Sequence, residues 1–188
     1  SSPAQSPYHQ PALVHAVLPY LAPTPGAGSV DATCGTGGHS LAILPRLTPG
    51  GRLVALDRDA EALAVSAQRL TEWQSTVVLR HGNFRELPQI LQDLGIRHVD
   101  GMLVDLGMSS FQVDRPERGF SFLKEGPLDM RMDPRQATTA ATLVNEWSAD
   151  ELGEVFRTLG EERFSARIAR RIVLERRIHP ITTTTQLA

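Results

Sequence analysis

The stretch "VDATCGTGGHS", residues 30–40, places Asp31 just ahead of Gly35, Gly37 and Gly38. Glycine is costly to order, so such a cluster marks a tight turn or a place where a ligand must approach the main chain. Two further acids follow apolar runs: Asp57 ends "GRLVALD", and Asp105 sits in "LVDLGMSS". Asp57 lies 22 residues beyond Gly35. That spacing suits a carboxylate that accepts hydrogen bonds from ribose hydroxyls beyond a glycine turn. The chemistry to which these residues point is the holding of a nucleoside cofactor.

Three ligands use a glycine turn after a first strand. A phosphate loop needs Lys before Ser or Thr, and His39 stands there. A dinucleotide turn wants Gly-x-Gly-x-x-Gly, and Ser40 occupies the third glycine position, which leaves a nicotinamide cofactor as the weaker alternative. The third ligand is S-adenosyl-L-methionine. Asp31 could take its ammonium group directly or through water, and Gly35 to Gly38 would admit its amino-acid part and ribose. Asp57 could accept both ribose hydroxyls. The plain alternative is an ordinary strand-to-helix turn.

Asp105 occupies the place where enzymes that methylate exocyclic amines carry a polar group that orients the nitrogen lone pair. It could do that job, hold the cofactor, or cap the next helix. "HGNF" (81–84) offers Asn83 and Phe84 at a strand end, with Phe84 either against an adenine ring or in the core. His9, His15, His98 and His179 show no metal spacing. Cys34 reads as a small packing residue rather than a nucleophile.

The elements that must position these residues are short. "SVDAT", "GRLVALD" (51–57), "TVVLRH" (76–81) and "VDGMLVDLG" (99–107) read as strands. Helices are predicted over 11–21, 40–47 (shortened or bent near Pro45), 60–73 and 85–95. Alternating strands and helices predict an α/β fold, a parallel sheet with helices on both faces. In such sheets ligands sit beyond the carboxyl ends of the strands, where Asp31, Asp57, residues 81–84 and Asp105 all fall. A long polar segment, 109–136, follows, then helical stretches near 138–159 and 161–178.

The 188 residues suit one domain of ordinary size, or one domain carrying a small second lobe. A net charge of -2 excludes a globally basic protein, so nucleic-acid contact must come from a local patch. "ERFSARIARRIVLERR" (162–177) supplies one. A helical projection puts Phe164, Ile168, Ile172 and Val173 on one face, and Arg163, Arg167, Arg170, Arg171 and Arg177 on the other. The stripe could grip phosphates or be a solvated face softened by Glu161, Glu162 and Glu175. The single cysteine excludes an internal disulfide and favours a reducing compartment. No apolar run approaches the roughly 20 residues of a membrane helix. The opening 30 residues carry no Asp, Glu, Lys or Arg and do not read as a secretory signal, and "SSPAQSP" reads as a flexible lead or a cut end.

Together "VDATCGTGGHS", "LDRD", "VDGMLVDLGMSS", "RGFSF", "GPLDMRMD", "GEERFSARIARRIV" and "PITTT" resemble the 16S ribosomal RNA (cytosine-N4)-methyltransferases, from about His9 to Ala188. The resemblance implies a Rossmann-like methyltransferase fold and S-adenosyl-L-methionine as cofactor. It also implies N4-methylation of a cytosine in the decoding region of small-subunit RNA, with no metal and no membrane. The partner would be that RNA or the assembled small subunit, in the cytoplasm or an organelle of bacterial descent. Residue by residue, it places cofactor contacts on Gly37, Gly38, His39, Asp57, Phe84, Asp105 and Gln112, the last on the resemblance alone. Residues 1–135 would be the cofactor domain and 136–188 the start of a helical, RNA-binding insertion. Members of the family are longer and return to complete a seven-stranded sheet. This chain therefore reads as an N-terminal fragment with four strands, an incomplete sheet and a bare fourth edge. Arg118, Asp129, Arg131 and Asp133 are candidates for RNA contact or loop bracing. The rival classes are a nicotinamide oxidoreductase and a non-catalytic RNA-binding module.

Overall fold

The computed structural model describes residues 13–188. The "SSPAQSP" lead, His9 and the first residues of the expected helix 11–21 lie outside them. The chain divides into two compact units, residues 1–111 and 112–188.

The first unit is a parallel sheet wrapped by helices. Its elements are α1 (Val14–Leu21), β1 (Gly28–Asp31), α2 (Gly38–Leu47), β2 (Arg52–Asp57), α3 (Ala60–Arg69), β3 (Val77–His81), α4 (Leu87–Asp93) and β4 (Gly101–Leu103). The strand order is β3-β2-β1-β4, and every pair is parallel. The order doubles back on either side of β1, which creates a crevice beyond the carboxyl ends of β1 and β4.

The two-residue period of a strand explains the layering. Leu53 and Ala55 of β2 point into one cluster with Ile43, Leu44, Leu47, Leu63 and Leu70. Val54 and Leu56 point the other way, with Val30 and Ala32, under Leu87, Ile90 and Leu91. A strand buried on both faces reads as a continuous apolar run, as "LVAL" does. Asp59 starts α3 by accepting from the Glu61 and Ala62 N–H groups at 3.1 and 3.4 Å.

β4 is shorter than the expected strand over 99–107. Asp100 accepts instead from the Gly28 N–H at 2.8 Å, and the backbone leaves the ladder after Leu103. Among the described residues β4 is paired on one side only. The expected helix over 60–73 ends at Arg69 and continues as a short turn, Thr71–Trp73. Pro45 does not stop α2, which runs on to Leu47.

The second unit is helical. It holds α6 (Ala140–Glu146), α7 (Ala149–Thr158), α8 (Ser165–Glu175) and α9 (Thr184–Leu187); α5 (Ser110–Val113) carries the boundary. The expected helix over 138–159 is two helices. Ser148 opens the second with a capping box: its hydroxyl accepts from the Glu151 N–H at 3.2 Å, and Glu151 accepts from the Ser148 N–H at 2.8 Å. Glu161, at φ 51°, delays the next helix to Ser165.

The unit boundary at 111/112 differs from the expected 135/136, because residues before 136 are tied to the helices. Leu128 shares the core of Val144, Leu152, Ala169, Ile172 and Ile181. Its N–H donates to Thr182 O at 2.8 Å, and its carbonyl accepts from the Ala141 N–H at 2.7 Å. The long polar segment is braced internally. Buried Arg118 donates to the Arg131 and Met132 carbonyls, both at 3.1 Å. Arg131 pairs in two-pronged fashion with Asp129, and Arg135 with Asp133. Gly126 has no room for a side chain, since a Cβ there would meet Pro116 O at 1.9 Å.

The arginine-bearing helix corrects the projection made from sequence. Its buried face is Ser165, Ala169 and Ile172. Phe164 and Ile168, expected inside, are 52% and 39% exposed. The reason lies on α7: a Cβ added at Gly153 would sit only 3.7 Å from Ala166 Cα and 3.8 Å from Ala169 Cβ, so the helices meet through their small residues.

Replacing a capping hydroxyl typically costs about 1 kcal/mol. Ser148→Ala should destabilise the protein by about that amount, while Ser148→Asp should stay within about 0.5 kcal/mol of the parent in urea titrations.

Candidate active site

The carboxyl ends of β1, β2 and β4 converge on the glycine turn. Asp57, last in β2, accepts from the Gly35 N–H at 2.7 Å through Oδ2 and from the Asp59 N–H at 2.9 Å through Oδ1. It thereby ties the turn to its own strand. Ser66 of α3 closes the other side, its hydroxyl donating to Gly35 O at 2.7 Å. Arg69 donates to Thr36 O at 2.6 Å.

Gly35 and Gly37 have φ of 53° and 83°, the left-handed region that glycine enters without strain. At Gly37 a Cβ would also press on Ser66 Oγ at 3.1 Å, whereas at Gly35 it would meet nothing within 4 Å. The turn is therefore packed on its inner side at Gly37 and open above Gly35. Gly38 begins α2, and His39 follows it, 7% exposed.

Asp31 is fully buried. Its carboxylate accepts from Ser40 Oγ–H at 2.7 Å and from the Thr33 N–H at 3.3 Å. In this arrangement Asp31 braces the first turn of α2 and underlies the turn as a buried charge. Burial pushes its carboxyl above the usual carboxylate range, opposed by the Ser40 hydrogen bond. Asp57 is shifted the same way by burial, opposed by the Asp59 and Gly35 N–H groups.

Asp105 lies two residues past β4. Its N–H donates to Thr33 Oγ1 at 2.7 Å, which fastens the β4 loop to the β1 turn. Its side chain is 53% exposed, and Oδ2 stands 4.0 Å from His39 Nδ1. Phe84, 39% exposed, follows Asn83, which starts a short turn by accepting from the Arg85 N–H at 3.0 Å. The Gly82 N–H donates to Asp57 O at 3.0 Å, which keeps this loop beside the β2 end. Asp31, Gly35 to His39, Asp57, Asp105 and the Phe84 loop are thus joined in one constellation. Gln112, 4% exposed, begins the second unit.

Burial pushes the Cys34 thiol up to about 12, so it carries no thiolate at neutral pH. Its sulfur lies 3.4 Å from Ser66 Oγ and 3.6 Å from Ser40 Oγ, a packing role. Thr33, Ser40 and Ser66 escaped the sequence reading. Ser66 alone left a signal, as a polar residue on the inner face of an alanine-rich helix. Among the described residues no three His, Cys, Asp or Glu side chains gather as a metal site, and no helix is long and apolar enough to cross a membrane.

A glycine turn gripped by a strand-end acid, on a 3-2-1-4 parallel sheet, defines a nucleoside-cofactor protein of the Rossmann-like class. The chain belongs to the MraW methylase family, whose pattern matches residues 6–188. It is 50% identical to the ribosomal RNA small subunit methyltransferase H of Syntrophotalea carbinolica, across 96% of this chain and 57% of that one. The enzyme of the same name from Thermobifida fusca is 49% identical, across 100% of this chain and 57% of that one. The chain spans about half the length of the curated relatives it matches. Among solved structures, NSun6 from Pyrococcus horikoshii with SFG aligns at 25% identity and a TM-score of 0.44, over 53% of this chain and 25% of that one. A methylase family leaves the nicotinamide alternative without support.

Because burial raises the Asp31 carboxyl, folding takes up protons there. This stability is fully present below the unfolded value of about 3.9 and is lost as pH rises through the raised folded value. Asp31→Asn keeps an acceptor for Thr33 and lets the Ser40 hydroxyl reverse. Urea titrations between pH 4 and pH 8 should show a decline with pH in the parent that is clearly reduced in the variant; equal slopes would contradict the assignment.

Proposed function

We propose that the complete protein transfers a methyl group from S-adenosyl-L-methionine to N4 of a cytosine in the decoding region of small-subunit ribosomal RNA, in the cytoplasm. The observation that carries this reading is the acid-gripped glycine turn, together with membership of a methylase family and relatives named for small-subunit RNA.

The residues present fit that cofactor. Each carboxylate oxygen of Asp57 accepts one main-chain N–H and has lone-pair capacity left for a ribose hydroxyl. Gly35 leaves open space above the turn, and Gly37, Gly38 and His39 line its start. Phe84 offers a half-exposed ring to an adenine. Asp31 lends its charge to a cationic ligand through the turn it braces, and Gln112 is assigned by the family resemblance. S-adenosyl-L-methionine supplies an electrophilic methyl group.

The chain's own residues then handle the nucleophile. A cytosine amine is weak because its lone pair is delocalised into the ring, so it must be oriented and relieved of a proton late in the step. Asp105 is exposed enough to meet it, is held in place by Thr33, and faces His39. It accepts a hydrogen bond from the amine, aims the lone pair and takes up the proton. The base must leave its stack to arrive there. The helical unit, 112–188, serves as the RNA-binding part, acting on naked RNA or the assembled subunit.

Calorimetric titration of S-adenosylhomocysteine into the complete chain tests the ribose role. Asp57→Ala should weaken binding at least about tenfold, and equal affinity would remove Asp57 from it. Asp105→Asn should leave that affinity within a few-fold while lowering tritiated methyl transfer to undermethylated small subunits by about a hundredfold or more, the usual worth of a general base.

A further inference from the structure

The outer face of α8 differs from a plain cationic stripe. Arg167 and Arg171 share it with Phe164, Ile168 and Leu174, the positions 164, 167, 171 and 174 following one another at steps of three and four residues. Phe164, Ile168 and Leu174 are 52%, 39% and 56% exposed. Arg163 lies over the Phe164 ring at 4.9 Å from its centroid, a guanidinium–aromatic stack already formed. Arg167, Arg170, Arg171 and Leu174 line an open surface groove of about 490 Å³. Arg171 is ion-paired with Glu175, whereas Arg167 and Arg170 have no carboxylate partner among the described residues.

Three ligands can be weighed against this face. A duplex backbone would need only the guanidinium groups and would leave Phe164, Ile168 and Leu174 in water. A purely apolar partner would bury Arg167 and Arg170 without counter-charge, at a prohibitive desolvation cost. An unpaired polynucleotide satisfies both: its phosphates meet the arginines, and its open bases stack on the ring and cover the aliphatic side chains.

We infer that the outer face of α8, with Phe164 as platform and Arg167, Arg170 and Arg171 as phosphate grips, binds single-stranded RNA in preference to duplex. This rests on the reading of the protein as an RNA methyltransferase and adds the strandedness of the RNA and the side chains that sense it. Phe164 discriminates, because a paired base has no free face to offer. The arginines supply affinity without discrimination, because both forms carry phosphates.

The test uses the complete chain and a fluorescently labelled RNA of about ten nucleotides, free or annealed to its complement, read by anisotropy over a salt series, with sites of that length typical of single-strand binders. The parent should bind the single strand about tenfold more tightly than the duplex, as one stacked base allows. Phe164→Ala should remove that preference with the salt slope intact, and Phe164→Tyr should keep it. Arg167→Gln and Arg170→Gln should each lower the slope for single strands by about 0.7 and leave the preference in place. Equal affinity of the parent for both forms, or an unchanged preference in Phe164→Ala, would overturn the inference. So would Phe164→Ala altering self-association in sedimentation while RNA binding stays the same. S-adenosylhomocysteine calorimetry on the same proteins separates the two levels: loss of analogue binding by the parent would sink the methyltransferase reading, whereas retained analogue binding without a strand preference would sink only this assignment.

Discussion

The hydrogen bond from the Gly35 N–H to Asp57, at 2.7 Å, is the constraint on which the candidate site depends. It joins the turn after β1 to the end of β2, and Ser66 secures the same residue from α3. A turn with left-handed glycines has many conformations open to it. These two contacts select one, and the selected one presents bare main chain to the crevice. The carboxylate that shapes the turn is also the one we propose holds the ribose, so in that reading shape and ligand chemistry share the same two oxygens.

The cost of this arrangement is electrostatic. Asp31 and Asp57 are drawn out of water, and burial raises both carboxyls. Hydroxyl and main-chain donors offset part of that penalty: Ser40 and Thr33 donate to Asp31, and the Gly35 and Asp59 N–H groups donate to Asp57. A cationic ligand at the turn would add to that compensation, which suits this pair of acids to a positively charged partner.

The sheet was legible in the sequence because β1, β2 and β3 are apolar runs with turn residues at both ends. Asp31 and Asp57, the acids that end β1 and β2, were legible for the same reason. β4 is shorter than its sequence suggests, because the apolar run continues to Val104, and Leu106 follows Asp105, while the backbone has already turned toward Thr33. Thr33, Ser40 and Ser66 were missed, since small hydroxyls acquire meaning only from partners distant in sequence. Of the apolar face that the helical projection gives α8, Ile172 is buried and Val173 packs against the same core, while Phe164 and Ile168 stay exposed. Gly153 and Ala169 let α7 and α8 approach closely, so Ser165 and Ala169 went inside while Phe164 stayed out. The motif at 126–133 was specific as a pattern, yet its physical role, an arginine–aspartate brace, needed coordinates.

The pairing of Pro127 with Thr183, with Leu128 N–H on Thr182 O and Thr184 N–H on Gly126 O, brings together stretches nearly sixty residues apart. The helices between them form a loop closed at its neck. Closing a long loop costs entropy that grows only slowly with its length. Arg118, outside the neck, also holds the Arg131 and Met132 carbonyls just inside it, so the neck and the first residues of the loop form one anchor from which the helices extend.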